Sequence, residues 1–377
     1  MHIVLNASIL RAPRTGIGQY IAGLSSAIVK LTDTQIDFFA GLSWSAQPPP
    51  STMPGYSRIS TLAKRYLPNA YSLRRNLQQK AFNHGVKRLR PALYHEPSLW
   101  PLEFAGPMVM TLHDLTHVHY PETQPADRLR EIEKRVEPAL ARAQVILTDS
   151  QFIADEAQRY YGIAPERLRV APLGYAERFR PYSATEQASV CAELGIAPGQ
   201  YLLCVGTLEP RKNLPLALDA YAQLPEAVRQ RYPLLIAGMA GWGPQALQGR
   251  LGTAVSSGQV RLLGYLDDQR LAQVLAGARM LLFPSLYEGF GLPVLEAMAA
   301  GVPVVLSATA SLPEVAGTAG TYCPAEAPQQ WSTAIMRLIE DDREWLLRRR
   351  LGLEQVQQFS WANCARITTA AYRQALE

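Results

Sequence analysis

The sequence predicts an α/β protein made of two Rossmann-like β/α/β halves that face each other across a cleft. Three observations predict it. Short apolar runs alternate with helical patterns, as in a parallel sheet with helices on both faces. That alternation breaks off near the middle of the chain and then restarts. At 377 residues the chain exceeds the size at which one hydrophobic core stops growing, so two domains are expected.

The elements follow in order. "HIVLNAS" is a strand, and "TGIGQYIAGLSSAIVKL" is a Gly-rich turn running into a helix with Ile17, Tyr20, Ile21, Leu24 and Ile28 on one face. "PMVMTLHD", "VILTDS" and "RVAPLG" read as further strands, with helical stretches such as "ADRLREIEKRVEPALARA" between them. The proline-rich stretch 45–55 reads as a loop. In the second half "YLLCVGT", "PLLIAGM", "QVRLLGY", "MLLFPS" and "VPVVLS" are strands. Between the halves, about 176–199, the chain turns polar, and the domain boundary is placed there. The expected domains are 1–178, completed by a last helix at 360–377, and 185–358. The halves repeat an architecture, not a sequence.

Composition narrows the class. With 48% hydrophobic and 18% charged residues, the chain reads as soluble and globular rather than disordered. No apolar run reaches the length of a membrane span. "MHIVLNAS" enters a strand directly, without the basic and apolar segments of a signal peptide. Cys191, Cys204, Cys323 and Cys364 are far apart and form no Cys-x-x-Cys pair, so a cytoplasmic protein with reduced thiols is expected.

"SLYEGFGLPVLEAMAAGVPVV" (285–305) holds two carboxylates in an apolar, Gly- and Pro-punctuated run. Locally it reads as strand, Gly-rich loop, helix, strand. Pro293 suits a first helical position, and Gly301 with Pro303 stops the helix. Glu288 then lies on the loop at the strand's C-terminal end, and Glu296 lies one turn into the helix. Open α/β sheets bind ligands there, and a helix start suits a phosphate. Two carboxylates would repel the phosphate, so they suit hydroxyls of a ribose and a sugar. The alternative is that Glu296 faces solvent and Glu288 only complements the helix dipole.

Other features have competing readings. "HDLTHVH" clusters His113, His117 and His119, but a strand end followed by Pro121 offers no i, i+4 face for zinc, and no metal site is expected. Asp267-Asp268 reads as a helix cap. Trp242 either stacks on a ligand or packs under its own loop. "TGIGQY" alone is a weak phosphate signal.

Taken together, the motifs resemble a family. "EGFGLPVLEAMAAGVPVV" resembles the Glu-x7-Glu signature of retaining glycosyltransferases of family 4 with the GT-B fold. "TGIG", "HDL", "TDSQF", "GTLEPRKN", "VRLLGYLDD" and "FSW" accompany it in order, so the resemblance spans nearly the whole chain. It implies that Glu296 accepts from nucleotide ribose hydroxyls and that Glu288 binds the transferred sugar. Gly289, Phe290, Gly291 and Leu292 would hold sugar and diphosphate through backbone N–H groups. Arg211 and Lys212 would be the cations on the diphosphate, with Gly206 beside them. His113 would lie beside the donor sugar. Gly16 and Gly18 would close over the phosphate, and Tyr265 and Leu266 would line the base pocket. Many relatives carry Gly-Arg where this chain has Gly206-Thr207, so one phosphate-binding arginine is missing at that position.

"GTLEPRKN" is a variant common among relatives that handle mannose-type donors. The resemblance therefore implies a GDP-sugar, GDP-mannose or GDP-rhamnose, as co-substrate and no cofactor. UDP- or ADP-sugars remain alternatives. It also implies metal-independent retention, in which the departing phosphate helps take the acceptor's proton. Two rival classes remain: a GT-B-fold nucleotide-sugar epimerase, and a sugar- or nucleotide-binding protein without activity. In the resembled fold the last helix, with Ile367, Ala371 and Leu376 on its apolar face, crosses back onto the first domain and domain closure excludes water.

Net charge is +5, and from Phe38 to His95 there is no Asp or Glu. That segment carries Arg58, Lys64, Arg65, Arg74, Arg75, Lys80, Lys87, Arg88 and Arg90. "YSLRRNLQQKAFNHGVKRLR" interleaves Tyr71, Leu73, Leu77, Phe82, Val86 and Leu89 with cations, as a basic amphipathic helix does. The expectation is peripheral association with an anionic membrane at the inner face of the cytoplasmic membrane. The expected acceptor is a saccharide or a polyprenyl-diphosphate-linked oligosaccharide, as in lipopolysaccharide O-antigen biosynthesis, and no nucleic acid is involved. The alternative is that the apolar residues pack into the domain and the cations are simply solvated.

Overall fold

The computed structural model describes residues 1–11, 16–49, 70–124, 126–239, 241, 245–256 and 258–377. Trp242, Thr15, Arg58, Lys64, Arg65 and the second half of the 45–55 loop lie outside the described residues. The chain forms two compact units. The first comprises Met1–His117, Ala126–Gly174 and Ser360–Glu377, and the second comprises Val118–Pro125 and Tyr175–Phe359.

In the first unit the strands are β1 (His2–Asn6), β2 (Gln35–Phe39), β3 (Trp44–Ser45), β4 (Leu93–Glu96), β5 (Met108–Leu112), β6 (Val145–Thr148) and β7 (Leu168–Val170). Their order across the sheet is β3-β2-β1-β4-β5-β6-β7, parallel except for β3 against β2. The second unit holds β8 (Leu202–Val205), β9 (Leu234–Ala237), β10 (Val260–Gly264), β11 (Met280–Phe283), β12 (Val304–Ser307) and β13 (Thr321–Cys323). Their order is β10-β9-β8-β11-β12-β13, the doubly wound order whose switch point falls between β8 and β11. Ligands of open α/β sheets bind at that point, beyond the carboxyl ends of the strands.

The parallel strands are apolar runs because helices cover both faces. In the second unit Leu202, Ile236, Leu282 and Val305 pack with Trp331 and Ile335 of the helix Pro328–Glu340. Trp331 is fully buried, and its indole N–H donates to Pro324 O at 2.8 Å. Losing such a side chain costs about 3–5 kcal/mol.

Several sequence expectations change. The stretch 176–199 is not all linker. Ser183 and Glu186 form a reciprocal capping box that starts the helix Ala184–Leu194. The last helix, Trp361–Leu376, belongs to the first unit, but its buried face is Cys364, Ala365, Thr368, Thr369, Ala371, Tyr372 and Ala375. Leu376 is exposed instead, because Tyr372 and Trp361 set the helix's rotation. The Tyr372 hydroxyl meets His95 Nδ1 at 2.7 Å, and a Cβ on Gly23 would come within 2.2 Å of the Trp361 ring.

The basic helix also differs from a membrane-lying one. It runs Ala70–Leu89 and buries Phe82, which stacks on Trp44. Arg74, Leu77, Lys80, Lys87 and Arg88 are exposed. At helical spacing Leu77, Lys80, Lys87 and Arg88 lie on the side away from Phe82, and Arg74 lies at the flank of that side. The side chains of Tyr71 and Leu73 lie outside the described residues. The outward face is therefore cationic, with Leu77 as its exposed large apolar residue. Among the described residues no helix is long and apolar enough to cross a membrane.

Candidate active site

The carboxyl ends of β8 and β11 frame the switch point of the second sheet. β8 runs out through Gly206 and Thr207 into the short turn Pro210–Lys212, and Asn213 then takes a left-handed conformation before the helix Leu214–Ala222. β11 runs out through Ser285 to Glu288, then Gly291, then the helix Leu292–Ala299. Gly291 has φ 101°, and a Cβ there would meet Leu312 at 2.7 Å, so only glycine makes this turn without strain. Pro293 lies in the first turn of the helix. About 260 Å³ of space, open to solvent, is lined by Gly206, Thr207, Lys212, Phe283 and Ser285 among others.

The two turns are joined by a row of charges. Glu209 Oε1 accepts from Arg211 Nη2 at 2.7 Å. Arg211 Nη1 is 2.7 Å from Glu288 Oε2 and donates to Tyr287 O at 2.6 Å. Lys212 Nζ donates to Glu288 Oε1 at 2.6 Å, and it lies 5.0 Å over the Phe283 ring. All four charged side chains are 9–14% exposed. Burial disfavours the Glu288 carboxylate, but Arg211 and Lys212 outweigh it and bring its pKa down to about 2. The Ser311 hydroxyl fixes the loop by donating to Glu288 O at 2.8 Å. The residues read from the sequence as phosphate cations and as sugar acceptor thus form one ion cluster.

Glu296 is different. It is 8% exposed on the helix that starts after Gly291, and no hydrogen-bond partner reaches its carboxyl among the described residues. Burial pushes its pKa up to about 8, against the charge of nearby Arg178 and with that of Asp268. Arg178 is held by Asp268, Nη2 to Oδ2 at 2.9 Å. Glu296 is not a solvent-facing helix residue, which removes the alternative raised from its position alone. Tyr265 and Leu266 follow β10, half-buried, and Asp267 caps the next helix by accepting from Gln269 N and Arg270 N. Gly206, Arg211, Lys212, Tyr265, Leu266, Glu288, Gly289, Phe290, Gly291, Leu292 and Glu296 all belong to the second unit.

Gly16, Gly18 and His113 belong to the first. Gly16 opens the helix Gly16–Leu31 and is exposed, while Gly18 is buried. His113, just past β5, packs edge-on against Tyr20 of that helix, ring centroids 4.7 Å apart. Its Nδ1 meets Asp149 Oδ2 at 2.6 Å and its Nε2 meets Pro97 O at 3.1 Å. Only the doubly protonated ring donates to both. Burial works against that charge, but Asp149, aided by Asp114 and Pro97 O, raises the pKa above its ordinary value. The three clustered histidines diverge: His117 bonds Tyr161, and His119 packs against Tyr287 at 5.1 Å.

Sequence reasoning missed two participants. Glu209 was legible only as a letter within "GTLEPRKN". The segment Val118–Pro125 joins the second unit, where Tyr120 packs against Tyr287 at 5.8 Å and its hydroxyl donates to Leu286 O at 3.4 Å. Its partners lie far away in sequence, so no local signal marks it.

Residues 14–177 match the family model described as Glycosyltransferase Family 4, and residues 193–355 match that described as Glycosyl transferases group 1. The chain is 34% identical over 382 residues to an O-antigen chain mannosyltransferase B of Escherichia coli, covering 99% of this chain and 100% of that protein. It is 31% identical over 276 residues to a serotype-specific mannosyltransferase WbdA of Escherichia coli, covering 71% of this chain and 34% of that protein. Anabaena Alr3699/HepE, solved in complex with UDP-glucose, has a TM-score of 0.74 at 18% identity, over 99% of this chain and 100% of that one. WaaG, a glycosyltransferase involved in lipopolysaccharide biosynthesis, has a TM-score of 0.69 at 16% identity, over 98% of each chain. The fold is the GT-B fold expected from the motifs, and the chain belongs to the glycosyltransferases of family 4.

Proposed function

We propose that this glycosyltransferase moves mannose from GDP-mannose onto a lipid-linked saccharide in O-antigen assembly, with retention and without a metal. The observation that carries the reading is the full-length, 34% identity to an O-antigen chain mannosyltransferase, joined to a charge row at the switch point. In this reading the bond from the anomeric carbon to the diphosphate oxygen breaks, and the acceptor oxygen bonds to that carbon from the same face. The acceptor's proton goes to the departing phosphate. Arg211 and Lys212 stabilise the charge that develops on the leaving group. Their attraction to Glu288 is exchanged for the phosphates, which leaves Glu288 to accept from the sugar. Glu296 accepts from the ribose hydroxyls.

A thermal-shift panel tests the donor. A ligand that binds only the folded state at one hundred times its Kd stabilises by about 2.7 kcal/mol. GDP is expected to raise Tm most, UDP and ADP less. A shift with UDP or ADP and none with GDP would replace the proposed donor.

The membrane part of the reading rests on the exposed stripe Arg74, Lys80, Lys87 and Arg88. Each such cation near an anionic surface contributes about 1 kcal/mol, screened by salt. Co-sedimentation with phosphatidylglycerol vesicles is expected at low salt and lost at high salt. Lys80→Glu with Lys87→Glu is expected to abolish it. Absence of low-salt binding by the unaltered protein contradicts this part.

A further inference from the structure

The charge row has a member that the proposed chemistry does not use. Glu209 and Glu288 bind different terminal nitrogens of Arg211. Glu209 takes one guanidinium nitrogen, while Glu288 and Tyr287 O take the other. The guanidinium is thereby held by two carboxylates and a carbonyl through both of its terminal nitrogens. Adding Lys212 gives two negative and two positive groups in one largely buried row, with a formal sum of zero. The turn is also braced independently of the Glu209 carboxyl. Glu209 N donates to Thr207 O at 2.9 Å, Lys212 N donates to Glu209 O at 3.0 Å, and Asn213 Nδ2 donates to Ala325 O at 2.9 Å. The carboxyl therefore acts on Arg211 rather than on the turn's shape.

We propose that Glu209 is a positioning residue that aims Arg211 across the switch point and, by balancing its charge, limits how tightly the site holds a diphosphate. The inference rests on the reading of Arg211 and Lys212 as diphosphate cations. A diphosphate entering the row meets two cations whose charge is already offset by Glu209 and Glu288. Without Glu209 the row carries one net positive charge, and a nucleoside diphosphate product leaves more slowly. Strong binding of both substrate and product does not accelerate turnover.

Two variants separate charge from geometry. Glu209→Gln keeps an oxygen that accepts from Arg211 and removes the charge. Glu209→Asp keeps the charge and shortens the reach. Calorimetry with GDP and with inorganic pyrophosphate, beside kcat and KM for transfer, reads both. Glu209→Gln is expected to bind both probes about tenfold more tightly, the effect of one uncompensated charge nearby, while kcat falls. Glu209→Asp keeps the charge but misplaces Arg211, so it is expected to gain no affinity for either probe and to lose kcat. A purely structural role predicts weaker binding in both variants, and that result, or unchanged affinity in Glu209→Gln, overturns the proposal. If the unaltered protein binds pyrophosphate but not GDP, the nucleotide reading fails while the charge effect remains measurable with pyrophosphate. If it binds neither, both fail.

Discussion

Glu288→Ala is expected to lower turnover by about a hundredfold or more, as loss of one preorganised contact to the reacting group does. It is also expected to destabilise the ligand-free protein by about 3–5 kcal/mol, because Arg211 and Lys212 lose their shared partner in a largely buried site. The pH behaviour follows from the same contact. The Glu288 pKa lies at about 2, below its ordinary 4.5. A depressed carboxylate contributes stability that is fully present above the unfolded pKa and is lost as pH falls through the folded one. The window is therefore about pH 4.5 down to 2, and the contribution above it is about 3 kcal/mol. Nucleoside diphosphate is expected to rescue Glu288→Ala by more than it stabilises the unaltered protein, since phosphates replace the missing negative charge. Denaturant melts with and without GDP at pH 7 check this. A variant as stable as wild type would show that the ion cluster does not hold the two turns together.

The second large effect has the opposite sign. Glu296 has its pKa raised to about 8 by burial. Between about pH 4.5 and 8 the folded state binds a proton that the unfolded chain releases, so stability falls as pH rises through that window. Glu296→Gln removes the titration and keeps the shape. Its ligand-free form is expected to be more stable than wild type by about 2–5 kcal/mol at pH 9, with the gain vanishing near pH 4.5. The same variant is expected to bind nucleotide more weakly at pH 9, by the loss of charge-assisted hydrogen bonds to the ribose. Melting curves at pH 5, 7 and 9 are decisive, because a stability difference independent of pH contradicts a buried, titrating carboxyl.

These two carboxylates show how far the sequence is legible. Strand, Gly-rich loop and Pro-started helix place Glu288 and Glu296 at the switch point, because local rules fix where the chain turns. Their opposite electrostatics follow from partners elsewhere: Glu288 is paired with cations from a turn seventy-six positions earlier, while the cation near Glu296, Arg178, is itself paired with Asp268. The overlooked strands fail for the same reason. β4 is "LYHE", in which His95 and Glu96 are fully buried. They are satisfied by Tyr372 and Thr111 and by Tyr94, Asn6 and Ser98, so burial is achieved by tertiary hydrogen bonds rather than apolar side chains. β2 is "QIDFF", and Asp37 interrupts the apolar run because its partner is His2 on the neighbouring strand, 2.6 Å away. β13 is three residues long, too short for any periodicity to show. The basic helix was legible as cationic, but which side its apolar residues face is set by Trp44, contributed by a separate strand.

The charge row at the β8–β11 switch point is proposed to drive metal-independent mannosyl transfer. The most direct measurement is product formation from radiolabelled GDP-mannose with a polyprenyl-diphosphate-linked saccharide acceptor, in the presence of excess EDTA. Labelled, α-mannosidase-sensitive lipid product is expected at an undiminished rate, and almost none from Arg211→Ala combined with Lys212→Ala. Transfer that requires added divalent metal, or that survives in the double variant, would contradict the proposal.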